Sequence, residues 1–421
     1  MAADDFFRRF RSLVSVDKGE YAFTELPDFD VAANVREHTL RDGETTISYA
    51  ESLVNTPLDF ARPLWEMHVI YDPADGANAS VAWKVHHCLG DGASLSMAMV
   101  KLSDQSDQFD AMMAKLQAAK TAAKPAKKPA QPVLTVLAKR AAAFAAFAKL
   151  LAWSIAVISR KLWALAFRPE PVTMFKLPGK TTKRLSYNVQ YSVATTKAIG
   201  KQYGATVNDV MLTVVAGAMR KTMLHAGQEV APSLTVRAVI PVDMRPTTEV
   251  IRTTGNKFSS LVIDFPLGVT DPLTRLGKIR SSMNEAKNSL EKFFTYMSSH
   301  FVSALPPPLM RFCLHFTTSR LTVAISNVRA SAFEISICGH ALTGFFGFVP
   351  PPPTVNLGIA ILSVGDSLGL NVLVDPSVGI DAKQFLVFAK EEFEALEHDA
   401  GVASHASTES APADSEDKKT K

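Results

Sequence analysis

No stretch restricts the fold of this chain more than Val81-Ala-Trp-Lys-Val-His-His-Cys-Leu-Gly-Asp-Gly92. Val81, Trp83 and Val85 alternate with Ala82, Lys84 and His86, the two-residue period of a β-strand. Successive side chains on a strand point to opposite faces, so His86 and His87 cannot both enter one site. His87 shares the face of Val81, Trp83 and Val85, which predicts a buried imidazole, while His86 falls beside Lys84. The strand runs into a tight turn with Asp91 between Gly90 and Gly92, expected to supply backbone angles that other residues resist.

The flanking text is that of mixed α/β structure. Residues Ala50 to Leu58 suggest a helix, Leu64 to Ile70 a strand, and the turn residues Asp72 to Asn78 join that strand to the histidine strand as a hairpin. After the turn, Leu95, Met99 and Leu102 recur at helical spacing over Ala93 to Leu102, with Ser94 as the expected cap. A length of 421 residues exceeds one ordinary core, so two domains are expected, the first over residues 1–110. Three cysteines (Cys88, Cys313, Cys338) make neither a disulfide framework nor a metal-ligand spacing, which favours a reducing compartment. The first residues, Met1 to Arg9, lack the apolar core of a secretory signal.

Composition then changes abruptly. From Ala111 to Pro169 there is no Asp or Glu, against eleven Lys and Arg. Within this segment (111–172), Lys115 to Pro132 reads as an extended, mobile Lys/Ala/Pro linker. Val133 to Phe167 reads as an apolar helix bearing Phe144, Phe147, Trp153, Trp163 and Phe167. A spanning helix wants roughly 20 apolar residues in a row, and here Lys149 interrupts the run. An interfacial helix on an anionic lipid surface fits better, and a core-packing interdomain helix is the bland alternative. Residues 173–396 read as a second α/β domain. Its strands fall at Leu185–Val193, Leu234–Val242, Phe258–Phe265, Leu321–Val328, Asn356–Val364 and Gly369–Val374. Its helices run from Thr206 to Leu224, from Pro272 to Phe294 and from Ala382 to Leu396. The acidic tail, 397–421, is expected to be disordered.

His86-His87-Cys-Leu-Gly-Asp91-Gly92 matches the HHxxxDG signature of chloramphenicol-acetyltransferase-like acyltransferases, which peptide-synthetase condensation domains share. Around it, Pro63-Leu64-Trp65-Glu66, Asn208-Asp209, Pro241-Val-Asp-Met-Arg245 and Ser326-Asn327-Val328 follow in the order and approximate spacing of one family. From Arg9 to Leu396 the chain resembles the wax ester synthase/diacylglycerol acyltransferase family, its plant-type branch in particular. The resemblance implies an α/β fold of mixed sheets, in which two chloramphenicol-acetyltransferase-like domains form an interdomain tunnel. There are two departures. Family members usually start some tens of residues earlier with a segment that supplies a first strand, so either the gene model is short or one sheet edge is unpaired. The family's Pro-Gly-Pro after Ser-Asn-Val is replaced by Arg329-Ala330-Ser331, which puts the shape of the substrate channel in doubt.

The resemblance implies transfer of a fatty acyl group from coenzyme A to a long-chain alcohol or diacylglycerol. An alcohol becomes a competent nucleophile only when a base takes its proton, a task that suits neutral imidazole and is typically worth about 10²–10⁴-fold. His87 is the candidate base, kept unprotonated by burial, with His86 in a supporting position. Asp91 is read either as a triad member orienting His87 or as a clamp on a distant arginine, for which Arg245 is nominated. A metal site at His86, His87 and Asp91 fails because the histidines face opposite ways, and a structural histidine is the bland reading of His87.

Pro63, Leu64 and Trp65 are channel candidates, although Trp65 reads equally well as core. Asn208 and Asp209 are expected to cap and position their helix, and Asn327 either to meet the developing oxyanion or to fix its strand. No cofactor is expected. Acyl-CoA would be a substrate held by scattered basic residues, no nucleic-acid partner is foreseen, and the place of action would be the cytosolic face of the endoplasmic reticulum. A condensation-type acyltransferase and a catalytically impaired lipid-surface protein are the rival readings.

Overall fold

The computed structural model describes residues 4–17, 20–76, 78–122, 133–179, 182–246 and 251–402. At the N-terminus, Asp4 caps a 3-10 helix, Asp5–Arg11, by accepting the Phe6 N–H at 2.8 Å. That turn buries Phe6, Phe7 and Phe10. An antiparallel hairpin follows, β1 (Ser12–Asp17) and β2 (Glu20–Glu25). A three-stranded sheet comes next, β3 (Val35–Thr39), β4 (Trp65–Tyr71) and β5 (Ala79–Val85), with β3 parallel and β5 antiparallel to β4. The hairpin expected from the sequence is therefore β4–β5. Between β3 and β4 lies α1 (Thr46–Asn55), four residues earlier than expected, because Thr45 and Ser48 form a capping box.

The turn leads into α2 (Gly92–Leu102), capped by Asp91 and not by Ser94, whose N–H is instead what Asp91 accepts. α3 (Ser106–Ala122) makes the first part of the expected extended linker helical, and residues 123–132 lie outside the described residues. α4 (Val133–Phe167) is one continuous 35-residue helix with the expected bounds. It is not a core helix. Its buried positions are Ser154 and Val157, and Arg237 closes its end by donating to the carbonyls of Ala164 and Arg168 at 3.1 Å each.

The remainder builds a six-stranded mixed sheet. Its elements are β6 (Arg184–Ser192), α5 (Val193–Gln202), α6 (Val207–His225), β7 (Val236–Asp243), β8 (Phe258–Phe265), α7 (Pro272–Asn288), α8 (Glu291–Ser303), α9 (Pro307–Thr318), β9 (Val323–Ser331), the short pair β10 (Ser336–Ile337) and β11 (His340–Ala341), β12 (Leu357–Val364), β13 (Ser367–Val374) and α10 (Ala382–Asp399). The sheet order is β6-β13-β12-β9-β7-β8, with β12–β9 and β9–β7 parallel and the other pairs antiparallel. β12 and β13 are buried on both faces, as their near-continuous apolar sequence requires.

Helix α6 fills the space beside the sheet, with every residue from Asp209 to Met219 buried. The single helix expected over Pro272–Phe294 is instead two, because Ser289 turns extended between α7 and α8. α10 continues to Asp399, past the expected start of the disordered tail, and residues 403–421 lie outside the described residues.

Candidate active site

The turn sits where the two sheets' elements meet. Strand β5 stops at Val85, so His86 and His87 lie beyond the pleat and its alternation does not reach them. Both imidazoles are exposed, which corrects the expected burial of His87. The main chain here is well held. His86 N–H donates to Leu64 O at 2.9 Å, Asn256 Nδ2 donates to His87 O at 2.9 Å, and Arg9 Nη1 donates to Cys88 O at 3.2 Å.

The two rings differ in what holds them. His86 packs edge-on against Phe60, with centroids 5.9 Å apart, and its Nδ1 accepts the Cys88 N–H at 3.3 Å. That contact requires a lone pair on Nδ1, and crowding by the surrounding chain lowers the His86 pKa, as does the neighbouring His87. His87 lies 6.0 Å from the Phe258 ring, centroid to centroid, and no hydrogen bond from the described residues occupies its imidazole nitrogens. Both ring nitrogens of His87, but only Nε2 of His86, are free of a hydrogen bond from the described residues.

Asp91 is 4% exposed, and its hydrogen-bond partners among the described residues do not include either histidine. Arg245 Nη1 lies 2.9 Å from Asp91 Oδ2 and 3.2 Å from Oδ1, the partner nominated from sequence. Lys257 N–H donates to Oδ2 at 2.7 Å and Ser94 N–H to Oδ1 at 3.0 Å; Ser94 Oγ also lies 3.0 Å from Oδ1, its one hydrogen shared between that oxygen and the Gly255 carbonyl. Burial alone would raise the Asp91 pKa. The amides of Lys257 and Ser94, with the Arg245 guanidinium, overcome it and hold the carboxyl below the usual carboxylate range. Arg245 Nη2 also donates to Gly255 O at 2.9 Å, and that carbonyl accepts the Ser94 hydroxyl at 2.7 Å as well. The aspartate is a clamp, not the orienting member of a triad.

Gly92 is required for proximity: a Cβ there would stand 2.8 Å from Val328 Cγ2 on β9. Neither Gly90 nor Gly92 has a positive φ, so the expected special backbone angles are corrected to close approach. The asparagines also find one another. Asn327 Nδ2 donates to Asn208 Oδ1 at 2.9 Å, joining β9 to the first turn of α6, where Thr206 caps and Asp209 completes a capping box.

Leu64 and Trp65 are corrected from channel wall to core. Both are buried, and Trp65 Nε1 donates to Phe10 O at 2.8 Å. Pro63 borders an open cavity of about 360 Å³ lined also by Phe29, Asn34 and Arg62, and none of the turn's residues lines it. Gly255, Asn256 and Lys257 were not singled out by sequence reasoning, and Ser94 was read only as a helix cap. The available signal was the Gly255-Asn256 turn dipeptide placed directly before a strand.

Profiles of two domains match this chain. The wax ester synthase/diacylglycerol acyltransferase catalytic domain covers residues 3–211, and the WS/DGAT C-terminal domain covers residues 254–397. Wax ester synthase/diacylglycerol acyltransferase 9 of Arabidopsis thaliana is 26% identical, over 89% of this chain and 83% of its own length. A probable diacylglycerol O-acyltransferase of Mycobacterium tuberculosis is 24% identical, over 90% of this chain and 81% of its own. Among solved structures, the wax ester synthase/diacylglycerol acyltransferase of Marinobacter aquaeolei VT8 superposes with a TM-score of 0.62 at 19% identity, covering 93% of this chain and 86% of that one. The first condensation domain of the CDA synthetase superposes with a TM-score of 0.54 at 15% identity, covering 94% and 85%. The fold is the two-domain, chloramphenicol-acetyltransferase-like one.

Proposed function

The chain belongs to the wax ester synthase/diacylglycerol acyltransferase family, and from that premise we propose how it transfers a fatty acyl group from coenzyme A to a lipid hydroxyl. The acceptor is a long-chain alcohol, giving a wax ester, or diacylglycerol, giving triacylglycerol. His87 removes the hydroxyl proton as the oxygen attacks the thioester carbonyl; the tetrahedral intermediate then expels the coenzyme A thiolate, which takes up the proton. The observation that carries this reading is the contrast at the turn. His87 offers unoccupied ring nitrogens on a main chain held from both halves of the protein, whereas a ring nitrogen of His86 is already engaged by a backbone amide.

Substrates would meet the base in a tunnel between the two halves. Helix α4 would lie along an anionic membrane surface, on the cytosolic face of the endoplasmic reticulum. Its length and hydropathy would suffice to cross a membrane, but Lys149 at mid-helix favours lying in the interface. Membranes carrying the protein, given labelled acyl-CoA with hexadecanol or with diacylglycerol, should form labelled ester with at least one acceptor. Absence of product from both would sink the proposal, and transfer only from a carrier-protein thioester would favour condensation chemistry.

A further inference from the structure

Helices α8 and α9 form an apolar hairpin that the protein does not bury. The residues of α8 and α9 that are buried are Glu291 and Thr318, at the two outer ends of the pair, and neither is apolar. Phe293, Met297 and Phe301 recur every four residues along α8, and Leu309, Phe312 and Phe316 recur at intervals of three and four on α9. Met297, Phe301 and Phe312 are 66%, 69% and 65% exposed. An apolar stripe of this kind faces a partner, since leaving it in water forgoes its burial.

Charge identifies the partner. From Lys292 to Phe333 there is no Asp or Glu, while Lys292, Arg311, Arg320 and Arg329 are cationic. A second copy of this surface would bring like charges together over a desolvated interface, whereas anionic headgroups would neutralise them. The hairpin is also fixed beside α4, the other acid-free apolar element. Ser154 Oγ accepts the Leu290 N–H at 3.0 Å, and Lys161 Nζ donates to Glu291 Oε2 at 2.5 Å and to Val262 O at 2.7 Å. Arg160 pairs with Glu285 of α7. These contacts hold the root of the hairpin against the C-terminal half of α4.

We propose that the α8–α9 hairpin is a second docking element for an anionic lipid surface, seating the protein together with α4 instead of leaving it tethered by one helix. The inference rests on the lipid-surface reading of α4 and extends it to a second site, which fixes how the body is oriented on the bilayer. Aromatic residues at the headgroup boundary with cations beside them are the arrangement such a surface binds.

The test is flotation of the full chain with phosphatidylcholine vesicles and with vesicles containing about one-third phosphatidylglycerol. One variant carries Phe301→Glu and Phe312→Glu on the hairpin, the other Phe144→Glu and Phe147→Glu on α4, with folding checked by circular dichroism. Wild-type protein should prefer the anionic vesicles. The hairpin variant should lose at least about tenfold in partitioning, the scale of two aromatic side chains returned to water. Hairpin-variant binding equal to wild type, with loss in the α4 variant, would overturn the hairpin and leave α4 standing. Loss in the hairpin variant alone would support the hairpin and refute α4. Wild-type protein that ignores both vesicles, or that dimerises through this face until Phe301 and Phe312 are replaced, would overturn the proposal.

Discussion

The two ends of one short turn are built by opposite rules. At the Asp91 end a buried carboxylate meets a guanidinium, two backbone amides and a hydroxyl, so that each oxygen is satisfied at least twice. At the His87 end the main chain is fixed through its carbonyl while the ring is exposed and left without a hydrogen bond from the described residues. The difference teaches how the motif divides its labour. One end is over-determined so that the other can be reactive and still be in place. Asp91 acts on the loop, and only through the loop on His87.

That contrast can be broken at several points, ranked by expected loss of stability. Asp91→Ala should cost about 3 kcal/mol in chemical denaturation, the lower end for a broken buried pair, because Arg245 would lose its buried carboxylate and keep only the more exposed Asp243. Adding Arg245→Ala to it should cost much less than the two single losses combined, and additive losses would show that the pair is not a unit. Gly92→Ala should cost about 1–3 kcal/mol through the clash with Val328, and Val328→Ala should recover part of it. Asn256→Ala, which frees the His87 carbonyl, should cost about 0.5–1.5 kcal/mol.

The smallest effect is in pH. The folded Asp91 pKa lies below the unfolded one, so its contribution is fully present above the ordinary carboxylate range and is lost as pH falls through the folded value. Unfolding free energy from neutral pH down to about pH 4 should therefore show no loss from this group. Wild type should lose more than Asp91→Ala only below that range. A larger wild-type loss between pH 7 and pH 5 would contradict the clamp.

Much of this was legible in the chain, and the failures have physical causes. β8 and α4 fell where alternation and composition put them, and Arg245 was found as the charge a buried Asp91 needs. The burial of His87 was misread because strand periodicity was carried two residues past Val85, where the backbone has left the pleat. The triple proline at 306–308 does not interrupt α9, because Pro307 and Pro308 occupy its first turn, where a missing N–H does no harm. Helices α4 and α6 show the limit most sharply. Both are rich in apolar residues, but α6 carries its charges at its ends and is buried, while α4 carries Lys149 at its middle and faces outward. The contacts of Asn256 and Lys257 with the turn were out of reach. They join residues more than 160 positions apart in sequence.

The most direct test of the division of labour is turnover by His87→Ala, measured with acyl-CoA and the preferred acceptor on protein of known unfolding free energy. The account predicts stability within about 0.5 kcal/mol of wild type, since the ring is exposed and has no hydrogen bond from the described residues to lose. It predicts turnover lower by about 10²–10⁴-fold. Turnover near wild type in the folded variant would contradict it.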